Sequence, residues 1–164
     1  MGLKPGLERI DRLLSLLGNP QRDQNYVHIA GTNGKGSTSL IVASVLTAAG
    51  YKVGRFSSPH LHSYCERFTI NGRDIEAQAL NAYLDIMEVK VKEMVEAGFG
   101  HPTEFEILTA IAFQYFRDEK VDLAVIEVGM GGIYDSTNVI TPLVSIITGI
   151  DYDHTNFLGN TLEA

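Results

Sequence analysis

The apolar residues of this chain recur at two spacings, one typical of helices and one typical of strands. Helical spacing predicts four helices, over residues 5–17, 37–49, 76–97 and 103–120. The first has a stripe formed by Leu7, Ile10, Leu13, Leu14 and Leu17. Short apolar runs predict strands over 26–30, 52–56, 121–128 and 143–147. Asn71-Gly72, directly after 67–70, indicates a hairpin, because this pair readily adopts the positive φ angles of a tight turn.

The order of these elements predicts the fold class. The run VDLAVIEV, residues 121–128, is nearly all apolar, which is typical of a parallel strand covered on both faces. Strands that alternate with helices predict an α/β sandwich with a mostly parallel sheet, which binds ligands at the carboxyl ends of its strands. The segment SSPHLHSYCE, residues 57–66, is predicted to be an irregular polar loop.

Composition excludes several classes of protein. The 164 residues carry a net charge of −7 and no basic tract, which argues against nucleic acid as the main partner. The sequence contains no uninterrupted run of about 18 apolar residues, so it predicts no membrane span. The first residues lack the apolar centre of a secretory signal. A single cysteine, Cys65, excludes an internal disulfide and suits a reducing cytosol. Residues 151–164 resemble a loop and the first turn of a helix, so we expect the domain to be incomplete.

A glycine-rich loop joins the first strand to the second helix. Its sequence, Gly31-Thr32-Asn33-Gly34-Lys35-Gly36-Ser37, favours a phosphate-binding loop. Glycines let backbone N–H groups turn onto an anion, the helix N-terminus adds partial positive charge, and a lysine reaches the terminal phosphates. The usual pattern G-x-x-x-x-G-K-[ST] is not met, because Gly36 separates the lysine from Ser37. The alternative is an ordinary strand-to-helix turn.

Two further residues are candidates for the same site. Glu127 ends the run VDLAVIEV, where a carboxylate is costly to bury unless a cation faces it. A magnesium ion bound with a nucleoside triphosphate is one such cation, and a salt bridge or a helix-cap contact is the alternative. His154 follows the next strand and either joins this cluster or is simply solvated.

Four segments, in this order, resemble one known family. HIAGTNGKGST, SSPHL…ER, EVGMGG…DSTNVI and DHTNFLG are similar to the ATP domain of folylpolyglutamate synthases and dihydrofolate synthases, which are relatives of the Mur ligases. The resemblance covers essentially the whole chain, including GLERI near its start. It implies a three-layer, P-loop NTPase-like sandwich of the Mur ligase central-domain type. It also accounts for Gly36, since this family's loop reads G-T-N-G-K-G-S.

The resemblance implies an activity. Enzymes of this family use ATP to join L-glutamate to a folate or dihydropteroate carboxylate through an acyl phosphate, and they are cytoplasmic and commonly monomeric. ATP and Mg²⁺ are therefore the expected cofactors. The alternatives are a Mur-type ligase that extends a muramyl peptide, a phosphate-loop switch or transport ATPase, and a binding module without ligase activity. SSPHL and GLERI argue against the Mur-type ligase, and Gly36 and Glu127 argue against the ATPase.

The resemblance also implies site residues. It places the nucleotide on Thr32, Asn33, Gly34, Lys35, Gly36 and Ser37. It places Mg²⁺ on Ser58, Glu127 and His154, with Ser37 as a further possible ligand, and it gives Lys35, Glu127 and His154 catalytic roles. It places the folate on Gly6, Leu7, Glu8, His60, Thr103, Phe105, Glu106, Tyr134, Asp135 and Ser136.

Several of these residues have simpler explanations. Leu7 belongs to the apolar stripe, Thr103 with Glu106 forms a T-x-x-E capping box, and Phe105 suits a core position. Ser58 before Pro59 suits a turn, and His60 suits a solvated loop. Ile133 stands where many family members carry arginine. The family continues into a carboxylated lysine and a C-terminal domain that supplies much of the glutamate site. Because residues 1–164 hold neither, we expect weak ATP binding and negligible ligase turnover from them alone.

Overall fold

The computed structural model describes residues 6–152, which form four α-helices and six strands. In chain order they are α1 (Glu8–Leu16), β1 (Tyr26–Ala30), α2 (Lys35–Ala48), β2 (Val53–Phe56), β3 (Phe68–Ile70), β4 (Arg73–Asp74), α3 (Ala77–Glu96), α4 (Glu104–Asp118), β5 (Leu123–Glu127) and β6 (Val144–Ile147). No helix among these residues has the length and apolar character needed to cross a membrane.

The strands form one mixed sheet in the order β4-β3-β2-β5-β1-β6. Strands β2, β5, β1 and β6 are parallel, and the β3–β4 hairpin adds antiparallel strands beside β2. β1 lies between β5 and β6, and Ile29 is in register with Glu127 and with Ile146. The loops that follow β1, β2 and β5 therefore meet at one edge of the sheet.

Helices cover both faces of the sheet and make three layers. α2 packs on one face, where Val27, Ile29, Val53 and Val125 form a small core. The helices α1, α3 and α4 cover the other face with a larger core, which includes Tyr26, Phe56, Phe113 and Ile126. The alternation along β1 and β2 explains this division, since neighbouring residues of a strand point to opposite faces.

The predicted fold class and element order are confirmed, with differences at the ends of elements. α2 begins at Lys35, two residues before the predicted start, because Gly34 adopts a left-handed conformation (φ 84°) that caps the helix. α1 begins at Glu8 rather than at the predicted residue 5. Residues 57–66 are not wholly irregular, since Tyr64–Arg67 is a 3₁₀ turn capped by Ser63 and Glu66. The S-x-x-E spacing of Ser63 and Glu66 in the sequence is the pattern that could have predicted this turn.

The strand predicted over 143–147 is much less buried than the strand predicted over 121–128, although both are largely apolar in sequence. β5 is buried almost throughout, but Val144 and Ile147 of β6 are 51% and 67% exposed. Within the described residues β6 pairs with β1 alone and ends the sheet. α2 also has exposed apolar residues: Leu40, Ile41 and Val45.

Candidate nucleotide and acceptor site

The glycine loop runs from the end of β1 into the first turn of α2. The N–H groups of Lys35, Gly36 and Ser37 precede the first helical hydrogen bond, which runs from Thr38 N to Gly34 O (2.9 Å). Such first-turn N–H groups have no carbonyl partner within their own helix and carry the positive end of its dipole. This part of the loop therefore has the electrostatics of an anion site.

The side chain of Lys35 folds back over this loop. Its Nζ donates to the backbone carbonyl oxygens of Gly31 (2.7 Å) and Thr32 (3.1 Å). The ammonium group is thus held beside the loop rather than extended into solvent. Gly31 allows a close approach that no side chain permits, because an added Cβ would lie 2.0 Å from Thr148 Oγ1.

Glu127 faces the first turn of α2 from the end of β5. A Cβ added at Gly36 would lie 3.7 Å from Glu127 Oε2 and 3.8 Å from Oε1. Gly36 therefore keeps the space between this carboxylate and the loop open. These are ordinary van der Waals distances, so the packing alone does not require glycine here, in the position where the common phosphate loop has a serine or threonine.

The Glu127 carboxylate is buried without close charge compensation. It is 3% exposed, and Ser58 N donates to its Oε2 over a long distance of 3.4 Å. No Lys or Arg in the described part of the chain forms a salt bridge with it. Burial raises the pKa of Glu127, and the Ser58 N–H and the charges of Lys35 and Arg55 offset part of that rise. Such a group is stabilised by a cation placed against it.

Arg55 is a site residue that the sequence reasoning missed. It lies half-buried on β2, and its Nη1 donates to Ser57 Oγ (2.7 Å), next to Ser58. Burial lowers the pKa of the Arg55 guanidinium, while the charges of Glu127 and Asp74 partly counteract this effect. A charged residue within the otherwise apolar strand VGRF was the available signal.

The oxygen donors at this edge fit a hard divalent cation such as Mg²⁺. Glu127 offers a buried carboxylate, and Ser58 lies directly beside it. Among residues 6–152 no group of three or more His, Cys, Asp and Glu side chains forms a metal cluster. One carboxylate nevertheless suits Mg²⁺, which commonly binds one or two protein carboxylates and takes its other ligands from phosphates and water. His154 lies outside the described residues.

The chain after β6 returns to the glycine loop. Thr32 N donates to Gly149 O (2.9 Å), and the Thr32 hydroxyl bonds both the carbonyl and the N–H of Asp151 (2.9 and 3.0 Å). Thr32 therefore joins the loop to the segment that leads toward His154. Asn33, Gly34 and Ser37 are exposed at the mouth of the loop.

The predicted folate residues divide into buried and exposed groups. Thr103 and Glu106 form the capping box of α4, with Thr103 N donating to Glu106 Oε2 (2.6 Å) and Glu106 N to Thr103 Oγ1 (3.2 Å). Glu106, only 3% exposed, also pairs with Arg9 of α1 (3.1 Å). The Arg9–Glu106 ion pair thus joins the start of α1 to the start of α4.

Phe105 and Asp135 meet across Gly129. A Cβ added at Gly129 would lie 2.5 Å from Phe105 Cζ and 3.1 Å from Asp135 Oδ2. Phe105 also packs against Phe56, with ring centroids 5.8 Å apart. Tyr134 is 66% exposed beside the buried Asp135, which is 7% exposed.

The remaining predicted residues lie in the loop after β2 and at the start of α1. His60 is not freely solvated: its Nδ1 accepts a hydrogen bond from Arg67 Nε (2.9 Å), and its ring lies 4.3 Å from that of Tyr64. Leu7 precedes α1 and packs on the larger core, as the apolar stripe predicts, while Gly6 and Glu8 flank it. The structure thus brings Phe105 and Asp135 close together, with Tyr134 and Ser136 as the chain neighbours of Asp135, and it separately groups the glycine loop with Glu127 and Ser58.

Sequence comparison assigns the family. The model of the Mur ligase middle domain matches residues 29–164, which is most of the chain. This chain belongs to the Mur ligase middle-domain family.

Relatives within this family include folate enzymes. The dihydrofolate synthase/folylpolyglutamate synthase of Bacillus subtilis is 47% identical over 163 residues, which cover 99% of this chain and 38% of that protein. The apo form of L. casei FPGS superposes with a TM-score of 0.93 at 42% identity, over 99% of this chain and 40% of that one. An FPGS-AMPPCP-folate complex gives a TM-score of 0.94 at 42% identity with the same coverage. The chain therefore spans about two fifths of the length of these relatives.

Proposed function

We propose that this chain is the ATP-binding part of a ligase that joins L-glutamate to a folate or dihydropteroate carboxylate. The observation that carries the proposal is the buried carboxylate of Glu127, facing the first turn of α2 across Gly36. The first turn of α2 thus provides an anion site, and the Glu127 carboxylate opposite it provides a cation site. This arrangement suits a nucleoside triphosphate bound with Mg²⁺. The names of the relatives, and the AMPPCP and folate in one related complex, support the choice of substrates.

The proposed reaction has two steps. The folate or dihydropteroate carboxylate attacks the γ-phosphorus of ATP, which forms an acyl phosphate and releases ADP. The glutamate amine then attacks the acyl carbon and expels phosphate. A carboxylate needs this activation, because its oxygen is a poor leaving group until it is phosphorylated.

The residues of this chain contribute mainly position and charge. The N–H groups at the start of α2 bind phosphate oxygens, and the Lys35 ammonium exchanges its two carbonyl partners for the charge of the terminal phosphates. Glu127 and Ser58 would hold Mg²⁺, with His154 as a further ligand, and the ion would neutralise phosphate charge during the transfer. We propose that the surface around Phe105, Tyr134, Asp135 and Ser136 receives the acceptor. His60, Thr103 and Glu106, with Gly6, Leu7 and Glu8, are proposed as further acceptor contacts.

A ligation assay tests this function. The full-length protein is incubated with ATP, Mg²⁺, L-glutamate and either dihydropteroate or a reduced folate, and both ADP release and the glutamylated product are measured. We expect product and glutamate-dependent ADP release. ADP release that needs a UDP-muramyl substrate instead would identify a Mur-type ligase, and release that needs no amino acid would identify an ATPase.

The setting of the protein is part of the proposal. We propose a cytoplasmic monomer that acts on small molecules and needs neither nucleic acid nor a membrane. The net charge of −7 and the single unpaired Cys65 support it. Gel filtration combined with light scattering tests the oligomeric state, with one chain per particle as the expected result.

A further inference from the structure

A chain of side-chain hydrogen bonds joins the glycine-loop strand to the loop after β5. His28 Nε2 lies 2.8 Å from Thr137 Oγ1, and Thr137 Oγ1 donates to Asp135 Oδ1 at 2.5 Å. Because the one hydroxyl proton of Thr137 goes to the carboxylate, its oxygen must accept from His28. The His28 ring therefore carries a proton on Nε2.

Asp135 also folds its own loop. Its Oδ2 accepts from Met130 N (2.9 Å), and its Oδ1 accepts from Thr137 N (3.0 Å) as well as from the Thr137 hydroxyl. Thr137 is fully buried and Asp135 is 7% exposed. The Asp135 carboxylate thus accepts hydrogen bonds from both ends of the loop over residues 129–137. The Thr137 hydroxyl links that carboxylate by hydrogen bonds to His28 on β1.

These hydrogen bonds fix the position of the proposed acceptor surface and not that of Glu127. Glu127 is held by the sheet itself, since it is in register with Ile29 and Val128 N donates to Ile29 O (2.9 Å). Asp135, in contrast, lies across Gly129 from Phe105, and Tyr134 and Ser136 are its neighbours in the chain. A shift of the carboxylate would therefore move this surface while leaving the phosphate side in place.

We infer that His28 and Thr137 are positioning residues for the acceptor substrate, acting through Asp135. They hold the loop over residues 129–137 so that the surface beside Phe105 fits a flat heteroaromatic carboxylic acid of the folate class. The nature of that acid rests on the proposed function. The placement of the loop does not, because it depends on the hydrogen bonds alone.

Variants at Thr137 separate this role from simple packing. Thr137→Val keeps the shape of the side chain and removes its hydroxyl, whereas Thr137→Ser keeps the hydroxyl. His28→Gln is a second control, because the amide Nε2–H of glutamine can replace the donor on the ring. All three are made in the full-length protein.

Two measurements are compared. Amide hydrogen exchange without substrates reports the loop, and steady-state kinetics report the KM values for dihydropteroate and ATP. For Thr137→Val we expect loop exchange and the KM for dihydropteroate to rise about tenfold each, as for a lost hydrogen bond to a charged group, with the KM for ATP changed less than about twofold. Thr137→Ser and His28→Gln should stay close to the wild type in both.

Other results overturn the inference. Unchanged loop exchange in Thr137→Val would show that the hydrogen-bond chain does not hold the loop. Equal rises in both KM values, or a Thr137→Ser variant as impaired as Thr137→Val, would show a general packing defect. If the wild type glutamylates no folate acceptor, the proposed function fails and with it the assignment to a folate-class acid, while the exchange data still decide whether these residues position the loop.

Discussion

Replacing Lys35 with alanine should weaken binding of ATP by about 30-fold. An ammonium group about 4 Å from a phosphate charge, at an effective dielectric constant of about 20, contributes about 4 kcal/mol. Lys35 must first leave the carbonyl oxygens of Gly31 and Thr32, and each of these hydrogen bonds is worth about 1 kcal/mol. The net loss on substitution is therefore about 2 kcal/mol, which corresponds to about 30-fold in Kd.

Calorimetric titration of the full-length protein with a non-hydrolysable ATP analogue and Mg²⁺ measures this loss. Lys52→Ala is the matched control, because Lys52 precedes β2 at the opposite edge of the sheet and bonds Glu119. The control should bind as tightly as the wild type. A change smaller than about threefold in Lys35→Ala, with the fold intact by circular dichroism, would refute the assigned role of this lysine.

Three further substitutions test the surrounding structure. Glu127→Gln should stabilise the metal-free protein by about 1 kcal/mol in thermal unfolding, because it removes a buried charge, and should abolish stabilisation by Mg²⁺ with ATP. A lower Tm in Glu127→Gln would contradict this reasoning. Burial lowers the pKa of His28, so the unfolded chain binds the proton more tightly and stability falls as pH drops below the ordinary value of about 6.5. His28→Gln should remove this part of the pH dependence, and an unchanged urea midpoint profile between pH 7 and pH 5 would count against it. Gly54→Ala should cost about 1–3 kcal/mol in urea unfolding, since the new Cβ would lie 2.7 Å from the Phe116 ring, whereas Gly149→Ala meets open space and should be nearly neutral.

The proposed phosphate side of the site was more predictable from the sequence than the proposed acceptor side. The glycine loop and Glu127 stand directly at the ends of β1 and β5, where an apolar run stops and chemistry-bearing residues begin. Parallel pairing of these two strands then brings the loop and the carboxylate together. The polar residues Arg55 and His28 within apolar strands were visible signals as well, but strand periodicity alone does not say which loop each one contacts.

The proposed acceptor side depends on tertiary contacts that local patterns do not encode. The capping box of Thr103 and Glu106 was readable from spacing, but its ion pair with Arg9 requires α1 to lie beside α4. The hydrogen-bond chain from His28 to Asp135 spans 107 residues of sequence and depends on how the loop after β5 folds back. The exposure of β6 was also unpredictable, because its apolar sequence resembles that of a strand covered on both faces.

We propose that this site transfers the γ-phosphoryl group of ATP to the acceptor carboxylate. Isotope transfer measures it most directly: dihydropteroate labelled with ¹⁸O in its carboxylate is incubated with the full-length protein, ATP, Mg²⁺ and L-glutamate, and the released phosphate is analysed by mass spectrometry. An acyl phosphate leaves one carboxylate oxygen on the phosphate, so one ¹⁸O should appear for each amide bond formed. Amide formation with unlabelled phosphate would contradict the account.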